Sequence, residues 1–231
     1  MINIRSSALF GRAPFFATKK VETALRIDNI VILSDSVAYG YGTEGGIANY
    51  LKETFPSSHI TNLGINGLTS SGLVQKMRTD SWLIPLQQAD LVLLNIGGND
   101  LLRGFRNGGA KGLIRQFSIL KRIYRQNLLE IYWHLREANQ RVIIVQNNLY
   151  NSMKKEEQYF GFTNLLFRLW NTAIGEKGII VSKTETMGKN PSIWLDSIHP
   201  NDEGYKLMHK LLIQTLSTTG FSIQSEKKSE L

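Results

Sequence analysis

The 231-residue sequence contains no cysteine, which excludes disulfides and thiolate metal sites. No apolar run is long enough to span a bilayer. Acids are missing from three stretches. Met1 to Lys20 carries Arg5, Arg12, Lys19 and Lys20 and no acid. Its apolar pieces are interrupted by Arg12 and Pro14, a poor signal-peptide core, so residues 1–26 are read as a loosely ordered arm, with a targeting segment as the alternative. Between Glu53 and Asp80 there is no acid at all. From Arg103 to Leu129 stand Arg103, Arg106, Lys111, Arg115, Lys121, Arg122 and Arg125, again without one. The formal net charge of +8 favours anionic surfaces or substrates but is too small to imply nucleic acid, which is not expected as a partner. An anionic membrane surface is the larger partner that this balance admits. The expected compartment is the cytoplasm, with an extracellular location as the alternative.

What is present is one α/β domain, expected over residues 27–219, with a polar tail over 220–231. Short apolar runs bounded by polar residues begin near Asn29, His59, Asp90, Arg141 and Gly178, and read as five strands. Helices are expected near Ile47–Thr54, from Thr69 or Ser70 to about Thr79, from Gly112 to about Asn139, from Phe162 to Gly175, and from Asn201 to about Ser217. This alternation gives a parallel sheet covered on both faces. Leu113, Phe117, Leu120, Tyr124, Leu128, Ile131 and Leu135 make a helical stripe that is most simply core. The segment Arg103 to Gly112 holds four glycines and reads as a mobile loop.

Four polar clusters fall at strand ends or just ahead of a helix: Ser36, Asn66-Gly67, Gly98-Asn99-Asp100, and Asp196 to Pro200. The carboxyl ends of parallel strands are where ligands and catalytic groups gather in open α/β sheets. A serine nucleophile needs a base for its proton and an acid to orient that base. It also needs donors aimed at the oxyanion. Ser36 is the candidate nucleophile, His199 the base and Asp196, three residues before it, the orienting acid. The backbone N–H groups of Ser36 and Gly67 and the Asn99 amide are candidate oxyanion donors. Arg103 and Arg106 are candidates for meeting a substrate phosphate. Each cluster alone has a bland counterpart: a helix cap, a turn glycine, an Asx turn. Asp35 is read as a strand-end residue bonding to backbone, since it sits too close to Ser36 to serve His199. No metal is expected, as His59, His134 and His209 lack partners at ligand spacing.

Gly40-x-Gly42-x-x-Gly45 fits a dinucleotide fingerprint, but it starts too far past the strand and no acid follows about 20 residues on. A Gly-x-Ser-x-Gly elbow is absent around Ser36, whose positions two before and two after are Ser34 and Ala38.

The four clusters together resemble the blocks of the SGNH (GDSL-type) serine hydrolases. Ser34-Asp35-Ser36-Val-Ala-Tyr-Gly40 matches the first block except at Ser34, where the family usually has glycine. Asn62 to Gly67, Gly97-Gly98-Asn99-Asp100 and Asp196 to Pro200 match the other three. Gly-Gly-Asn-Asp followed by Leu102-Arg-Gly-Phe105 is closest to the lysophospholipase/thioesterase/arylesterase branch. The resemblance implies a flavodoxin-like three-layer α/β/α fold with a five-stranded parallel sheet and no cofactor. It implies hydrolysis of acyl esters, such as lysophospholipids or thioesters, through an acyl-enzyme. Two alternatives stand beside it: a carbohydrate O-acetylesterase, and a catalytically impaired lipid- or glycan-binding module, the latter suggested by Ser34.

Overall fold

The computed structural model describes residues 26–221, so the expected arm and tail lie almost wholly outside the described residues. The strands are β1 (Asn29–Ser34), β2 (His59–Asn62), β3 (Leu91–Asn95), β4 (Ile143–Asn147) and β5 (Ile179–Ser182). They form one parallel sheet in the order β2-β1-β3-β4-β5. β1 and β3 are central and nearly all apolar because helices cover both their faces; the edge strands β2 and β5 are less buried.

Eight α-helices surround the sheet among the described residues: α1 (Ser36–Tyr39), α2 (Ile47–Thr54), α3 (Ser70–Met77), α4 (Asp80–Gln88), α5 (Gly98–Arg106), α6 (Gly109–Ala138), α7 (Phe160–Asn171) and α8 (Asp202–Thr218). Alternation along each strand divides the core in two. Val31, Leu33, Val92 and Leu94 pack under α3, α4, α6 and α7. Ile30, Ile32, Leu91 and Leu93 pack under α2 and α8. The expected stripe on α6 faces the first of these cores, with Leu113, Tyr124, Leu128, Ile131 and Leu135 buried and Phe117 and Leu120 partly so.

Two helices depart from the sequence reading. α4 follows Thr79, where the helix before it was expected to end, and carries Pro85 in its interior. Trp82 and Leu86, four apart, are both buried in the core, and that burial outweighs the lost backbone donor. The second departure is the glycine-rich stretch after Asp100, which is helix rather than mobile loop. A Cβ on Gly104 would stand 2.6 Å from Leu120 and 3.1 Å from Leu113, so glycine there lets α5 lie directly against α6. The glycine serves close packing, and only Asn107 and Gly108 separate the two helices.

Candidate active site

β1 and β3 are neighbours at the point where the strand order reverses, so the segments that leave them open onto a common crevice. Ser36 begins α1 directly after β1. Asp35 is its N-cap, accepting from the Val37 N–H at 3.0 Å, and Gly40 closes the helix in the left-handed conformation. The Ser36 N–H has no acceptor among the described residues.

His199 comes from the other end of the chain, in the loop between β5 and α8. That loop is tied down by Leu195 N–H to His199 O at 2.9 Å, Asn201 N–H to Ile193 O at 2.9 Å, and the Tyr150 hydroxyl to Ile198 O at 3.2 Å. The Ser152 hydroxyl donates to Ser197 O. The Asp196 carboxylate receives the backbone N–H groups of Ile198 (2.8 Å) and His199 (2.7 Å) and faces the His199 Nδ1 at 2.7 Å. Burial pushes the Asp196 carboxyl up, but these hydrogen bonds outweigh it and hold the group below the ordinary carboxylate range. On the far side of the ring, His199 Nε2 lies 2.9 Å from the Ser36 Oγ. The structure therefore brings Ser36, His199 and Asp196 into one hydrogen-bonded chain, with the imidazole buried and Asp196 partly open to solvent.

Asn99 stands at the start of α5 and lines the same cavity as Ser36. Its Nδ2 lies 3.2 Å from the Asp35 Oδ2 and 3.1 Å from the Leu68 carbonyl, so both amide hydrogens already have protein acceptors. Asp35 is buried, and burial raises its pKa from 3.8 to about 6 despite the Val37 N–H, the Ser34 hydroxyl and His199. Asp100 is also raised by burial, while accepting the Ser70 N–H at 2.9 Å and hydroxyl at 2.6 Å. These two bonds dock the start of α3 against α5. Ser34, at the usual glycine position, is accommodated with Ser36 still in reach of His199: its hydroxyl is buried, accepts from the Ala38 N–H at 3.3 Å and approaches Asp35 Oδ1 at 3.4 Å.

Gly67 has φ +75° and is exposed, and its N–H has no acceptor among the described residues. A Cβ there would touch nothing within 4 Å, so the backbone conformation is what calls for glycine. Arg103 and Arg106 are exposed on α5 and do not line the cavity beside Ser36. That cavity holds about 450 Å³ and reaches from Ser36, Asn99 and His199 along α5, α6 and α7. Its wall is mainly apolar, with Leu102, Phe105, Leu113, Met153, Leu166 and Phe167; apart from Asp35, His199 and Tyr150, its one ionisable side chain is Glu157.

Three features had no counterpart in the sequence reading. Tyr41 stacks on His199, with ring centroids 4.3 Å apart. Tyr150 and Ser152 brace the histidine loop from the segment after β4. Asp35 holds the Asn99 amide as well as capping α1. Tyr41, Tyr150 and Ser152 belong to no short motif, and the Asp35–Asn99 bond joins two separate blocks; each depends on which loops the sheet order places side by side.

Comparison with known proteins bears on the fold and the family. The chain is 23% identical over 210 residues to the protein YpmR of Bacillus subtilis (strain 168), covering 83% of this chain and 82% of that one. Its fold is similar to the lipase Lip_vut3 from a goat rumen metagenome, with TM-score 0.70 and 19% identity over 81% of this chain and 97% of the other. It is also similar to Axe2, an acetylxylan esterase from Geobacillus stearothermophilus, with TM-score 0.60 and 15% identity over 85% and 97% of the two chains. A model of the GDSL-like lipase/acylhydrolase family matches residues 35–207, from the residue before the proposed nucleophile into the last helix, and the chain belongs to that family.

Proposed function

We propose that the chain is a serine esterase that hydrolyses carboxylic esters whose acyl part is longer than acetyl, through an acyl-enzyme on Ser36. Family membership supports ester hydrolysis as the reaction class. The acyl preference rests on one observation: the cavity that opens onto Ser36 has a mainly apolar wall and room of about 450 Å³. Such a space suits a hydrocarbon chain and leaves an acetyl group largely uncontacted. With no lysine or arginine in its wall, it offers a phosphate no partner inside.

The chemistry follows from the hydrogen-bonded chain. Ser36 Oγ attacks the carbonyl carbon as His199 Nε2 takes its proton, and Asp196 holds the tautomer and stabilises the imidazolium. The Ser36 and Gly67 N–H groups are the donors for the oxyanion, and the Asn99 amide becomes a third by releasing one of its two acceptors, Asp35 or the Leu68 carbonyl. The imidazolium then protonates the leaving alcohol or thiol. Water, deprotonated by the same imidazole, releases the acid.

A series of p-nitrophenyl esters from acetate to laurate tests the assignment, with kcat/KM expected to rise well beyond acetate. A maximum at acetate would transfer the protein to the acetylesterase alternative. A fluorophosphonate probe should modify Ser36, and an unmodified protein would leave only the binding-module alternative.

A further inference from the structure

Beside the cavity lies a surface that ester hydrolysis in solution does not need. We propose that the outer face formed by α5 and the first half of α6 is a docking surface for an anionic lipid–water interface, which presents ester substrates directly to the cavity. This deepens the acyl-ester assignment and rests on it only for the substrate readout below.

Phe105 belongs to both features: it lines the cavity and is 50% exposed. On α6, Ile114 and Ile119 are 54% and 52% exposed, although Leu113 between them and Phe105 is buried in the cavity wall. Large aliphatic side chains standing out from a helix next to an apolar cavity are not a solubility device. The cations around them carry the charge argument. Lys121 and Arg125 are engaged with α7 and the turn after it, through Thr172 and through Ala173 O and Glu176. Arg106, Lys111, Arg115 and Arg122 are exposed and form no ion pair among the described residues. With no acid between Arg103 and Leu129, nothing on this stretch offsets them. Apolar side chains interleaved with uncompensated cations match a surface that is negative at its headgroups and hydrocarbon just below.

The test uses Ser36→Ala protein, so that binding is read without hydrolysis, and flotation with vesicles. Binding is expected to vesicles of phosphatidylglycerol and phosphatidylcholine, and not to phosphatidylcholine alone, with release as salt is raised. In the same background, Lys111→Glu with Arg115→Glu should weaken binding by roughly tenfold or more. Restored to Ser36, the pair should leave turnover of a soluble neutral ester unchanged while slowing turnover of esters embedded in anionic vesicles. Failure to float with anionic vesicles, equal binding to both compositions, or binding undiminished by the double variant would each overturn the assignment. Retention on nucleic acid without vesicle binding would overturn it too. These outcomes are independent of esterase activity, which the chain-length series measures separately.

Discussion

The Asp35 carboxylate holds the Asn99 side-chain amide across the crevice, Oδ2 to Nδ2 at 3.2 Å, joining the segments that leave β1 and β3. With the Leu68 carbonyl on the same nitrogen, the amide is fixed before any substrate arrives. To meet an oxyanion the amide exchanges one of these two acceptors for the charge that develops in the transition state, without having to move into place.

Asn99→Ala is therefore expected to lower kcat by roughly 10²–10³, about 3–4 kcal/mol, with little change in KM. Steady-state kinetics on a preferred ester decide it. An effect confined to KM would make Asn99 a ground-state binding residue.

Ser36 Oγ and His199 Nε2 lie 2.9 Å apart, and the proposed mechanism makes them a single proton-transfer unit. Ser36→Ala and His199→Ala should each remove several orders of magnitude from kcat, and the double variant should be little worse than either. Additive losses would show two independent roles. Activity that survives Ser36→Ala but not Ser34→Ala would move the nucleophile to the other serine.

Asp35 supplies a pH signature of its own. Its pKa is raised from 3.8 to about 6, so the folded protein binds this proton more tightly than the unfolded chain. The sign follows: stability falls as pH rises from about 4 to about 6, by about 3 kcal/mol at ~1.36 kcal/mol per unit, and stays level above. Asp35→Asn removes that slope. Denaturant unfolding of both proteins at pH 4 and pH 7 should show the variant gaining on the wild type at the higher pH. Curves that stay parallel would mean the carboxyl titrates normally.

Ser34 contributes a buried hydroxyl to the turn that carries Ser36. Ser34→Gly leaves the Ala38 N–H without that acceptor and adds backbone freedom, a loss of about 1–2 kcal/mol. Thermal unfolding should register it, while kcat/KM changes little. Unchanged stability would leave the hydroxyl without a structural role.

The sequence by itself determined the strand positions and the placing of Ser36, Asn99, Asp196 and His199 at loop junctions. These are short-range properties. A buried strand announces itself as an apolar run, Asp196 and His199 lie within one turn, and Ser36 and Gly40 bracket one short helix. Only the tertiary structure decided how these pieces meet. Gly104 and its neighbours look like a flexible loop by composition, yet they form a helix because a missing Cβ allows α5 to rest on Leu113 and Leu120. Pro85 looks like a helix breaker, and the burial of Trp82 and Leu86 overrides it. Arg103 and Arg106, next to Asn99 in sequence, fall outside the cavity because a helix sends neighbouring side chains in different directions. Tyr41 over His199, Asp35 on Asn99 and the apolar wall from α7 all join segments distant in sequence. Their proximity is set by the β2-β1-β3-β4-β5 strand order and the crossing of helices, which no local pattern encodes.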